Sequence, residues 1–134
     1  MILLDTVVLS ETRKRKPSPK VVAWLKTLRD DDIYLSVVSI GEIERGIAKV
    51  RLTDEAFAAD LSVWSEGLVR LYGNRVLPIT ASIARRWGEL SQALGHDGAD
   101  LLIAATALTH GLQVATRNAK HFQPTGVKVV NPFL

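Results

Sequence analysis

The sequence predicts an α/β fold, a short parallel sheet flanked by helices on both faces, and three observations lead there. Short apolar runs alternate with longer amphipathic stretches along the whole chain, the order of strands joined by helical crossovers. Such crossovers bring strands together in parallel and cover both faces of the sheet. The chain has 134 residues, 47% hydrophobic and 23% charged, without internal repeat, low-complexity tract or linker, so one domain over residues 1–134 is expected.

The elements follow in order. Ile2, Leu3 and Leu4 form an apolar run that ends in the polar pair Asp5 and Thr6. A helix-like stretch to about Thr12 precedes the basic run Arg13, Lys14, Arg15, Lys16 and a turn at Pro17, Ser18 and Pro19. Val21, Val22, Trp24, Leu25 and Leu28 recur at helical spacing until Asp30, Asp31 and Asp32 break the pattern. Residues 33–38 read as a second strand, and Ser39 opens a helix to about Arg51. Thr53, Asp54 and Glu55 start a longer helix, whose stripe of Phe57, Leu61, Trp64, Leu68 and Leu71 is assigned to the core. Gly73 and Asn74 turn the chain into a short strand over 76–79, and Ile83, Trp87, Leu90 and Leu94 mark another helix. After a loop over 95–98 comes an apolar helix over 101–108, closed by Gly111. Strands over 112–116 and 127–130 end the chain, separated by a loop over 117–126.

Composition narrows the chemistry. Cysteine is absent, which excludes disulfides, thiolate nucleophiles and cysteine-ligated metal, and suits a reducing cytoplasm. Asp5 interrupts the opening apolar residues before any signal core forms, and no run is long enough to span a bilayer, so a cytoplasmic protein without membrane association is expected. Seventeen Lys and Arg against fourteen Asp and Glu give a formal charge of +3, a balance that permits nucleic-acid binding.

Ligands of open parallel sheets bind beyond the carboxyl ends of the strands. Three acids are expected at that edge: Asp5 after the first strand, Glu42 in the first turn of the helix after the second, and Asp100 in the first turn of the apolar helix. Each has a bland alternative. Ser39 with Glu42 fits a capping box, Asp5 can cap the helix it precedes, and Asp97 can cap the helix that holds Asp100. Together they say more. Like charges 4 Å apart repel by ~4 kcal/mol at an effective dielectric near 20, so three convergent carboxylates call for protonation or a cation. Oxygen donors without Cys or clustered His suit Mg²⁺ or Mn²⁺, ions that activate water and steady phosphodiester charge.

Four ordered blocks now carry a resemblance: Met1 to Thr6, Ser39 to Ile47, Asp100 to Ala107 and Val114 to Asn118. They resemble the signature blocks of PIN-domain ribonucleases, the VapC toxins of toxin–antitoxin pairs and their FitB-like branch in particular, over essentially the whole chain. The resemblance implies a Rossmann-like PIN fold, a Mg²⁺- or Mn²⁺-dependent endoribonuclease acting on RNA, a homodimer, and a cognate VapB-type antitoxin. It casts Asp5 and Asp100 as metal ligands and Glu42 as the third catalytic acid. Thr6 and Thr116 match small hydroxyl residues of the pocket, and Arg117 and Asn118 stand beside it as substrate-binding residues.

Three positions depart from the family pattern. Val7 replaces a usual Asn, Asn118 replaces a frequent fourth Asp, and His121 stands before Phe122 where other members place an Asp. A second metal ion is thereby put in question, with Asp97 a substitute ligand or a cap. The same departures favour a rival expectation, a PIN-fold module that binds RNA or an antitoxin without cutting. The basic run with Lys20 reads either as an RNA-phosphate contact or as a solvated turn. His96, His110 and His121 show no zinc-binding spacing. Trp24, Trp64 and Trp87 exceed what a small core needs, so part of that set can face a partner.

Overall fold

The computed structural model describes residues 1–134. Five parallel strands, β1 (Ile2–Leu4), β2 (Ile33–Ser36), β3 (Val76–Leu77), β4 (Gln113–Ala115) and β5 (Val129–Val130), lie in the order β3-β2-β1-β4-β5. The central strand β1 is buried on both faces. Successive strand side chains point to opposite faces. Accordingly Ile2 and Leu4 join a core with Val8, Leu9, Leu35, Ile43 and Ile47, whereas Leu3 joins a second core with Ile103, Val114 and Phe122. Seven helices cover the two faces: α1 (Thr6–Glu11), α2 (Pro19–Leu25), α3 (Val37–Arg51), α4 (Glu55–Tyr72), α5 (Ala81–Leu94), α6 (Ala99–His110) and α7 (Ala119–Phe122). The expected sheet and its helical cover are therefore present.

Several boundaries differ from the sequence reading, each for a local reason. The second strand ends at Ser36, whose side chain accepts from the Val38 amide at 3.0 Å and caps α3. Val37 and Val38 are strand formers recruited into a helix by that cap. Ser39 is therefore not a capping residue, and Glu42 lies in the second turn of α3 rather than the first. Asp97 does not cap α6 either; Gly98 occupies that place without a side-chain bond. Residues 117–126 contain α7 and a further helical turn at Gln123–Thr125, organised by the fully buried Phe122.

On α4 the inward stripe is Ala58, Leu61, Ser65 and Leu68, while Phe57 and Leu71 are exposed and Trp64 is half-buried. Small residues let α4 pack closely on α3. In the basic run, Lys14 pairs with Glu11 at 3.2 Å and the Arg13 guanidinium lies 5.7 Å from the Phe57 ring centre. No helix is long and apolar enough to cross a membrane.

Candidate active site

The site is built at the carboxyl end of the sheet, where the strand order changes direction on either side of β1. Asp5 directly follows β1 and Thr116 directly follows β4, and the Asp5 amide donates to the Ala115 carbonyl at 2.9 Å. That bond locks the two strand ends side by side. Glu42 reaches the same edge from α3, and Asp100 from the first turn of α6.

Asp5 is 3% exposed and caps α1, its Oδ1 accepting from the Thr6 amide at 2.8 Å. Its Oδ2 accepts from the Thr116 hydroxyl at 2.7 Å, and that same hydroxyl oxygen accepts from the Asn118 amide at 2.9 Å. Burial raises the Asp5 carboxyl above its ordinary value; the bonds from Thr116 and the Thr6 amide lower it, and the charges of Asp100 and Glu42 raise it again. Asp5 thus caps a helix, as the capping alternative expects, and also stands in the field of two further acids.

Glu42 is oriented from across the site. The Thr6 hydroxyl contacts Glu42 Oε1 at 2.6 Å and Ser39 Oγ at 2.9 Å; one proton serves one acceptor, and the shorter contact to the carboxylate takes it. Asp100 Oδ2 lies 3.1 Å from His121 Nδ1. Glu42 and Asp100 open into one cleft of about 590 Å³ whose wall includes His96, Lys120 and His121. Each acid is thus held by a different donor, Thr116, Thr6 and His121. No three acidic or imidazole side chains stand close enough to hold an ion without moving.

Sequence reasoning placed Asp5, Thr6, Glu42, Asp100 and Thr116 at this edge, and the structure brings them together. Asn118 lies at the start of α7, exposed. Arg117 is directed elsewhere, its guanidinium 3.8 Å from the Phe133 ring centre, and it does not line the cleft. Lys120 was missed, and the partnership of His121 with Asp100 was unforeseen. The legible signal was the position of both residues just before Phe122, an apolar anchor inside an otherwise polar segment.

The PIN-domain family model matches residues 2–126. The chain belongs to the PIN-domain family. This PIN domain is 36% identical to the toxin FitB of Neisseria gonorrhoeae over 138 residues, covering 99% of both chains. It is 34% identical to the VapC ribonuclease Y4jK of Sinorhizobium fredii over 138 residues, 99% of this chain and 98% of that one. Among solved structures, FitAB bound to a DNA fragment superposes with a TM-score of 0.87 at 35% identity, covering 100% of this chain and 96% of that one.

PIN-domain ribonucleases generally depend on a divalent metal. The residues present here fit such an ion. The donors are carboxylate oxygens, the choice of hard cations, and the buried Asp5 carboxylate lies in the field of two like charges that a cation would neutralise.

Proposed function

We propose that this PIN domain is a metal-dependent endoribonuclease that hydrolyses RNA phosphodiesters and acts as the toxin of a toxin–antitoxin pair. The observation that carries the reading is the meeting of Asp5, Glu42 and Asp100, acids from three separate parts of the chain, at one sheet edge. Relatives named as toxin and ribonuclease over nearly the full chain support it.

In this reading Asp5 and Asp100 hold Mg²⁺ or Mn²⁺. When bound, the ion supplies a water of lowered pKa and a counter-charge for the phosphate. Glu42, pointed by the Thr6 hydroxyl, takes the proton from the attacking water. Thr116 fixes the rotamer of Asp5 while its own oxygen is braced by the Asn118 amide, and the Thr6 amide holds the other carboxylate oxygen. Lys120, on the cleft wall, meets backbone phosphate. Thr6 and Asn118 are accessible to substrate, whereas Thr116, expected to border it, is fully buried and works only through Asp5. Arg117, stacked on Phe133, stands apart from them. A VapB-type antitoxin, a homodimer and a cytoplasmic setting complete the proposal.

A second reading has its own support. Asn118 and His121 stand at the two positions where the family resemblance leads one to expect a fourth acid, which favours a module that binds RNA or its antitoxin without cutting. Structured RNA incubated with Mn²⁺, with EDTA, and with the Asp100→Asn variant separates the two. Cleavage lost on both treatments is expected. Cleavage that survives both defeats the metal mechanism, and RNA binding without cleavage establishes the module.

A further inference from the structure

His121 lies within bonding reach of an acid assigned to the ion, on a helix that cannot easily drift. Phe122, the next residue, is fully buried, and the His121 amide donates to the Asn118 carbonyl at 3.0 Å, so α7 presents the imidazole from a fixed base. The side chain itself is largely exposed on the wall of the cleft that also holds Glu42 and Asp100. An ion arriving from solvent therefore meets His121 without any core rearrangement.

The separation of the two donor atoms has a second meaning. Octahedral ions with bonds of about 2.1 Å hold adjacent ligand atoms about 3.0 Å apart. His121 Nδ1 and Asp100 Oδ2 stand 3.1 Å apart. The pair thus already stands at the spacing that two neighbouring ligand atoms of one ion would take, and Nδ1 would bind it only when free of its proton.

Resting on the ribonuclease reading above, we propose that His121 is a direct ligand, with Asp100, of the divalent ion, and that its nitrogen selects a transition ion, Mn²⁺, over Mg²⁺. Imidazole suits transition metals, whereas Mg²⁺ keeps to oxygen and surrenders its waters reluctantly. At this position a carboxylate would admit both ions. A nitrogen donor discriminates between them.

The test is pulsed electron paramagnetic resonance of Mn²⁺ bound to the whole protein, with calorimetric titration of Mn²⁺ and Mg²⁺ beside it. Nitrogen modulation of the Mn²⁺ echo is expected in the parent protein and in His96→Ala, and its loss is expected in His121→Ala. Mn²⁺ affinity should fall on the order of tenfold in His121→Ala, the low end for perturbed metal sites. His121→Asp should narrow the preference for Mn²⁺ over Mg²⁺ by a similar factor. Mn²⁺ that binds, is released by Asp100→Asn, yet shows no nitrogen modulation overturns the ligand role of His121 and leaves the ribonuclease reading standing. A protein that binds no Mn²⁺ at all overturns both.

Discussion

Asp5→Asn isolates the energetic cost of the site, because asparagine keeps the shape of the side chain and removes its charge. In the ion-free protein the Asp5 carboxylate is 3% exposed and faces the charges of Asp100 and Glu42. Burying an ion costs several kcal/mol, and each hydrogen bond to a charged group, here from Thr116 and the Thr6 amide, returns about 1.5–3 kcal/mol. The balance is unfavourable, since the carboxyl is shifted toward its neutral form. Asparagine still accepts from Thr6 but leaves the Thr116 hydroxyl without its acceptor, so a net gain of about 1–2 kcal/mol is expected. With an unfolding entropy of about 2.1 cal/mol/K per residue, that is ~4–7 °C in Tm for a chain of 134 residues. The pH dependence has a definite sign. The folded Asp5 holds its proton more tightly than the unfolded one, so stability falls as pH rises from the unfolded value of 3.8 through the raised folded value. Asp5→Asn lacks this loss. Calorimetry in EDTA should therefore show the variant more stable at pH 7 and the difference shrinking toward pH 4, and Mn²⁺ should stabilise only the parent protein. A variant less stable than its parent at pH 7, or an advantage unchanged at pH 4, refutes the argument.

Other substitutions probe separate parts of the site. Thr116→Val leaves an Asp5 oxygen and the Asn118 amide without a partner and should cost about 1–3 kcal/mol in urea titration. Thr6→Val frees Glu42 from its orienting hydroxyl and should lower kcat about tenfold with an unaltered circular dichroism spectrum. Phe122→Ala should cost about 3–5 kcal/mol and loosen α7 enough to speed amide exchange at Lys120 and His121. Arg117→Ala should remove about 0.5–1 kcal/mol of stacking on Phe133 and leave RNA cleavage unchanged.

The parallel sheet and its central strand were legible because Ile2, Leu3 and Leu4 are all apolar, as a strand covered on both faces requires, and the alternation with helices along the chain supports the strand. Asp5 and Asp100 were legible for a related reason: a residue at the end of a parallel strand, or at the start of the helix leading back, must lie at the ligand-binding edge. Local competition hid the rest. The start of α3 was misjudged because Val37 and Val38 favour strands, and only the Ser36 side chain on the Val38 amide shows that the helix begins there. Phe57 and Leu71 matched the apolar period of α4, yet Ala58 and Ser65 supply the buried face because close approach to α3 selects small side chains. The contact of His121 with Asp100 joins residues 21 positions apart and depends on where the burial of Phe122 sets α7, which no periodicity encodes.

The hydrogen bond from Thr116 to Asp5 joins residues separated by 111 positions. During synthesis, a chain that has not yet released Thr116 from the ribosome lacks β4, and with it the strand that fixes Asp5 in place. Partial translation products that stop short of Thr116 therefore lack the donor that fixes Asp5, and the site is completed late in synthesis. On the ribonuclease-toxin reading proposed above, a cell that makes such a protein would meet its toxicity only once the finished chain is free to meet a neutralising partner.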